Sequence, residues 1–217
     1  MLAWWVEFAP AERILDLGCG VGVVALALAR CRGAAAVTGL ELQEELAELA
    51  RANVAANDAA ASVTIVQGDA RALPAELHSA FDVVCANPPF REAGAGRVNP
   101  AAGKALARHE LTLPLEDLTT AAAEALRPGG RFYLIHQPRR LEDLACASAA
   151  AGLHLERLRF VQPRRGEDAN LVLAAASRGG ARDAVVGPPL EIYGPAGEYA
   201  PEVAALYEGR GRPLYEG

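Results

Sequence analysis

The chain has little with which to cross-link itself and little to hold it in a membrane. Its 217 residues include four cysteines, Cys19, Cys31, Cys85 and Cys146, scattered without a C-x-x-C pair. That spacing excludes a disulfide framework and a thiolate metal site, so no metal is expected, and it suits a reducing compartment, the cytoplasm. No apolar run approaches the ~20 residues that span a bilayer, so no membrane partner is expected. Met1–Trp5 is too short for a secretory signal and lacks its basic start. Lysine is nearly absent: Lys104 stands alone among arginines. With abundant alanine, this usage reflects GC-rich coding rather than function. Positive charge is scarce overall, with a net of −6, which at first counts against a nucleic-acid partner.

The distribution of charge says more. Residues 1–90 carry 5 basic and 11 acidic side chains, residues 91–182 carry 14 and 10, and residues 183–217 carry 2 and 6. The middle third alone is basic, which fits an anion-facing surface and equally fits arginines on solvated helix faces.

At 52% hydrophobic, the chain is long enough for one α/β domain with a substantial core. Apolar runs at 13–17, 36–40, 62–67, 81–86 and 131–136 predict strands, separated by helical patterns at 43–57, 115–126 and 141–151. Arg127-Pro128-Gly129-Gly130 reads as a helix stop. Two last strands, 153–162 and 169–176, look like a hairpin, and a short helix is expected over 201–208. The alternation predicts a Rossmann-like, doubly wound α/β sheet, mostly parallel with an antiparallel C-terminal edge strand. Residues 1–180 form the expected domain, with 181–217 as an extension packed on it.

DLGCGVG (16–22) lies between the first strand and first helix. Glycines there let a ligand approach the backbone, and the helix start offers N–H groups. The dinucleotide fingerprint G-x-G-x-x-G is not met, because its third glycine position is Val23. Asp16 would repel a pyrophosphate but suit a cationic ligand. The motif resembles the first motif of class I S-adenosylmethionine-dependent methyltransferases, which implies a cofactor site of Asp16, Gly18, Gly20 and Gly22. Glu41 at the end of the second strand would take the ribose hydroxyls and Asp69 after the third would take the adenine, with Leu42 and Ala70 beside them also in the cofactor site. Glu41 also suits a helix start, and Asp69 a turn.

Asn87-Pro88-Pro89-Phe90 follows the fourth strand. Proline lacks an N–H and restricts the residue before it, so the chain must leave the strand as a stiff, extended turn. The tetrapeptide matches the [DNS]-P-P-[FYW] motif of amino-group methyltransferases. In that reading the Asn87 amide oxygen and the Pro88 carbonyl accept the N–H bonds of a planar amine, and the prolines fix both in advance. Phe90 stacks on the substrate. Asn87 also borders the cofactor. A plain turn is the alternative, and His109 and Glu110 read as a loop contact or helix start rather than an acid–base pair.

Beyond these motifs, EFAPAERILDLGCGVGVVAL, the later Asn99-Pro100 and Arg108–Glu110, L-RPGGRFYLIH and PLEIYGPAGEYAPEV are similar to the bacterial adenine N6-methyltransferases of valine tRNA. The resemblance implies the seven-stranded methyltransferase fold and methylation of adenine N6 in tRNA near the anticodon. It also implies a tRNA contact through residues 91–165, with Arg91, Arg97, Lys104, Arg108, Arg139, Arg140, Arg164 and Arg165 as candidates. Such proteins carry a longer stretch before FAPAERILDLG, packing over the cofactor, so either the start is truncated here or this member is minimal. A protein-glutamine or small-molecule amine methyltransferase and a non-catalytic cofactor- or RNA-binding module stay open, and a monomer is expected.

Overall fold

The computed structural model describes residues 1–89, 113–180 and 184–209 and Leu214. Its elements are α1 (Leu2–Trp5), β1 (Arg13–Leu17), α2 (Val23–Arg32), β2 (Ala36–Glu41), α3 (Glu44–Ala56), β3 (Val63–Gln67) and β4 (Phe81–Ala86). They continue with α4 (Leu115–Ala125), β5 (Leu126–His136), α5 (Leu141–Ala150), β6 (Leu153–Gln162), β7 (Leu171–Arg178), β8 (Val185–Val186), β9 (Leu190–Glu191) and α6 (Pro201–Tyr207). All strands join one sheet in the order β3-β2-β1-β4-β5-β7-β6-β8, with β9 also on β6.

Strand pairing is parallel except around β7, which runs antiparallel to both β5 and β6. The antiparallel strand expected at the C-terminal edge therefore lies one position further in, and β6 returns to the common direction. Beyond β6 the sheet gains two short parallel strands that the sequence pattern did not reveal, β8 and β9.

Helices cover both faces, which is why the central strands read as continuous apolar runs rather than alternating ones. Every residue of β4 is buried. Along β1, Ile14 packs toward α1, α2, α3 and α6, while Leu15 and Leu17 pack toward α4 and α5. In α3 the buried positions Ala47, Ala50 and Val54 recur at helical spacing, and Glu44 and Glu45 sit in the first turn where the helix dipole favours acids.

The expected helix stop at Arg127–Gly130 belongs instead to the start of β5. Leu126 pairs with Phe81, the register then slips, and pairing resumes at Val83 with Arg131. Pro128 cannot donate to the ladder, and Gly129 takes φ +77°, so the four residues form an irregularity within the strand rather than a loop before it.

The first helix and the described part of the tail both pack into the core. Trp5 is fully buried and its Nε1–H donates to the Ala174 carbonyl at 3.0 Å. The tail is held by Arg159 of β6, which is 4% exposed. Its guanidinium donates to both Glu202 carboxylate oxygens at 2.7 and 2.9 Å, to the Pro188 carbonyl at 2.9 Å and to the Leu214 carbonyl at 2.9 Å. A buried guanidinium keeps its charge, so each lost partner leaves an N–H without an acceptor. Glu202→Ala is expected to cost about 1–3 kcal/mol and to make residues after Gly180 the first cleaved by protease; urea unfolding and limited proteolysis check this.

Candidate active site

From β1 the chain winds outward to β2 and β3, then crosses back to β4 on the other side of β1. At such a reversal the loops after neighbouring strands diverge and leave a crevice at the carboxyl edge. A cavity of about 350 Å³ occupies that place here, walled by the loops that follow β1, β2, β3 and β4 and by Leu113 and Leu118.

The first wall is the glycine loop. Gly20 takes φ +55° and Gly22 φ +84°, left-handed conformations open to glycine at no steric cost. This turn aims the Gly20 N–H at Glu41 Oε2, 2.9 Å away. The other oxygen, Oε1, accepts from the Gln43 N–H at 2.9 Å. Glu41 is only 6% exposed, yet its two oxygens tie the loop after β1 to the start of α3. Each oxygen retains acceptor capacity for a ligand hydroxyl. The Asn53 amide donates to the Val21 carbonyl at 2.9 Å and holds the loop from behind.

Next along the edge, Asp69 follows β3. Its carboxylate accepts from the Arg71 backbone N–H at 2.9 Å and from the Arg71 guanidinium at 2.7–3.0 Å. The Arg71 side chain holds the Asp69 carboxyl below its ordinary pKa, so Asp69 faces the cavity ionised. Opposite lie Asn87, Pro88 and Pro89, with Asn87 and Pro89 exposed and Pro88 half-buried.

Of the residues singled out in the sequence, Gly18, Gly20, Glu41, Leu42, Asp69, Ala70, Asn87, Pro88 and Pro89 line this one cavity. Phe90, Arg91, Arg97, Asn99, Pro100, Lys104, Arg108, His109 and Glu110 lie outside the described residues. Asp16 and Gly22 are not among the lining residues. Gly22 caps the N-terminus of α2 against Ala50. Asp16 is 1% exposed, accepts from the Ala25 N–H at 3.0 Å, and has the Cys85 thiol 3.9 Å from its other oxygen. Its carboxylate thus anchors α2 to β1 from beneath the loop, a role the expectation of a cationic ligand did not foresee.

Several cavity residues were not singled out: Leu17, Gln43, Leu46, Arg71, Leu113 and Leu118. Arg71 carries a sequence signal, an opposite charge two residues after Asp69. Leu118 reads from sequence only as the buried face of a helix. Arg139 and Arg140 follow β5 and Arg164 and Arg165 follow β6, so all four occupy loops at the same carboxyl edge as the cavity. Arg164 pairs with Glu167 at 3.5 Å and Arg165 with Glu191 at 2.8 Å. Among the described residues, no cluster of His, Cys, Asp or Glu is arranged to hold a metal, and no helix is long and apolar enough to cross a membrane.

The methyltransferase small domain family matches residues 2–143, the span that contains the entire cavity. The chain belongs to this family. As a methyltransferase it is 34% identical to a tRNA1(Val) (adenine(37)-N6)-methyltransferase of Porphyromonas gingivalis over 96% of this chain and 84% of that protein. It is 35% identical to the protein of that name in Aeromonas salmonicida, over 82% and 74%. Among solved structures, a predicted O-methyltransferase, Atu636 of Agrobacterium tumefaciens, superposes with TM-score 0.79 at 26% identity, covering 97% of this chain and 95% of that one. S-adenosylmethionine is the methyl donor of this methyltransferase. The cavity suits it: its volume is in the range of small-molecule sites, Leu42 and Leu46 offer apolar surface, and Glu41 and Asp69 offer acceptors.

Burial raises the Asp16 pKa from 3.8 to about 7, against the opposing Ala25 and Cys85 hydrogen bonds. Between those two values the folded protein binds more protons at this site than the unfolded chain. Stability from this group therefore falls as pH rises from about 4 through 7. In Asp16→Asn that loss is expected to vanish, so the variant gains on the wild type across this window by up to about 4 kcal/mol. Urea midpoints of both proteins at pH 5 and pH 7.5 check it.

Proposed function

We propose that the protein transfers the methyl group of S-adenosylmethionine to the exocyclic N6 of an adenine in tRNA, beside the anticodon. The observation that carries this reading is the placing of Asn87-Pro88-Pro89 across one cavity from the Glu41-tied glycine loop. Relatives matched over most of their length are named for that reaction.

Bound in the cavity, the donor supplies a methyl carbon made electrophilic by a sulfonium. Glu41 accepts the ribose hydroxyls, Asp69 and Ala70 take the adenine edge, and Gly18, Gly20 and Leu42 line its path. Asp16 and Gly22 act beneath this layer by holding α2 and the loop in place.

The nucleophile is a weak one, because the N6 lone pair is delocalised into the ring. The Asn87 side-chain oxygen and Pro88 carbonyl each accept one N–H from it. Two acceptors fixed beforehand hold the nitrogen in line and favour the tetrahedral geometry it acquires, at little cost in ordering. No strong general base is required, since the nitrogen turns acidic only once methylated. Phe90 is assigned to stack on the adenine. The base reaches this pocket only when splayed from its loop, with Arg139, Arg140, Arg164 and Arg165 of the basic segment 91–165 contacting phosphates. The reading implies a cytoplasmic protein, and we take it to act as a monomer.

Labelled methyl transfer into bulk unmodified tRNA, with release factor as the competing acceptor, tests the substrate; the expected product is N6-methyladenosine by mass, and a methylated glutamine would overturn the reading. Asn87→Ala is expected to keep S-adenosylmethionine affinity within a few-fold while kcat falls by about 10²–10³. Full turnover in that variant would refute the role of the amide. Reversing charge at Arg164 and Arg165 should weaken tRNA binding and flatten the plot of log K against log salt by about one to two, measured as affinity at several salt concentrations.

A further inference from the structure

The tail carries an aromatic feature that neither the cavity nor the core uses. β9 runs parallel to β6, with Val161 opposite Leu190 and Gln162 opposite Glu191. The chain continues past the end of β6, where the Ile192 N–H donates to the Gln162 carbonyl at 3.0 Å and the Tyr193 N–H to the Pro163 carbonyl at 2.9 Å. Since β6 shares the direction of β4 and β5, Tyr193 emerges at the carboxyl edge, the edge of the active-site cavity.

A tight turn then brings Tyr199 opposite Tyr193 across an antiparallel bridge. Their rings stack at 5.6 Å and 15°. Tyr207, at the end of α6, stacks on Tyr199 at 4.9 Å and 29°. On Tyr193 the Arg164 guanidinium lies 5.7 Å from the ring centroid. Four side chains from three separate segments thus form one ladder.

The ladder is open at its end: Tyr199 is 45% exposed and Tyr207 74%. Planar rings stacked in series, a guanidinium among them and a second arginine beside it at Arg165 are what a single-stranded nucleic acid meets on its binding platforms, where bases stack irrespective of sequence. The loops after β5 and β6 bring Arg139, Arg140, Arg164 and Arg165 to this edge, which favours a polyanion. At about 4.8 Å per strand spacing, β9, which leads into Tyr193, stands four positions from β4, or ~19 Å. A few unpaired nucleotides on either side of a splayed base span such a gap.

We infer that Tyr193, Tyr199 and Tyr207, with Arg164, form a stacking subsite for an unpaired nucleobase of the RNA, near the adenine that enters the cavity. The inference rests on the tRNA reading above and extends it to a surface in the tail. Tyr207 presents the open ring, so the base stacks there, while Arg164 answers the phosphate.

Binding of unmodified tRNA to the full chain at several salt concentrations tests this, with Tyr207→Ala and Tyr207→Phe compared. Loss of one stacking ring should weaken tRNA affinity about 5- to 100-fold. The salt slope should stay as in wild type, because no charge is removed. Tyr207→Phe should restore affinity, and S-adenosylmethionine affinity and melting temperature should not move in either variant. Affinity within twofold of wild type in Tyr207→Ala, while wild type binds and methylates tRNA, overturns the subsite and leaves the tRNA reading standing. A loss that Phe does not restore, or one matched by a lower melting temperature, assigns the ladder to structure and also overturns it. Wild type that neither binds nor methylates tRNA overturns both.

Discussion

The carboxylate of Glu41 is the contact on which the geometry of the cavity depends. One oxygen fixes the glycine loop through Gly20 and the other fixes the start of α3 through Gln43. Two backbone N–H groups 23 residues apart in sequence, those of Gly20 and Gln43, share a single, nearly buried acceptor. The left-handed backbone at Gly20 has meaning only with that acceptor in place, because the turn is what aims its N–H. Asp16 supports the same arrangement one layer lower by holding the first turn of α2. The two acids thus divide the work: one shapes the loop, the other seats the helix behind it.

This division was not legible in the sequence. Asp16 and Glu41 are both acids at strand ends, and periodicity cannot tell an acid facing a cavity from one turned into the sheet–helix interface. Glu41 sits at the end of β2 with its oxygens at the rim, whereas Asp16 lies within β1, two residues before Gly18, on the face that α2 covers. Strand-end apolar runs, by contrast, read plainly, because strands covered on both faces are uniformly apolar. NPP was legible for a different reason: proline restricts backbone conformation wherever it occurs, so a stiff turn after a buried strand follows from residue type alone.

Where local reading went astray, pairing across the sheet decided the outcome. Arg127-Pro128-Gly129-Gly130 has the composition of a loop, yet Phe81 gives Leu126 a partner before it and Val83 gives Arg131 one after it. Arg159 is one of two arginines in β6, and nothing in the strand's residue pattern marks it as buried. Its buried position emerges only when the tail folds back to supply Glu202, Pro188 and Leu214 from residues far along the chain. Tyr193 and Tyr199 fall in the stretch PLEIYGPAGEYAPEV and Tyr207 beyond it, and only the fold stacks the three.

The inward placement of β7 has a consequence for how the molecule behaves in a crowd. It leaves the ten-residue β6 as the last long strand, a length of unpaired backbone that could recruit a strand from another chain. The tail removes that opportunity piecemeal. β8 takes Arg157 and Leu158, β9 takes Val161 and Gln162, and the Arg159 side chain draws the Pro188 carbonyl over the gap between them. Because both covering strands are only two residues long, they offer little template of their own. The segment that reaches the active-site edge therefore also serves as the seam that keeps the sheet from growing.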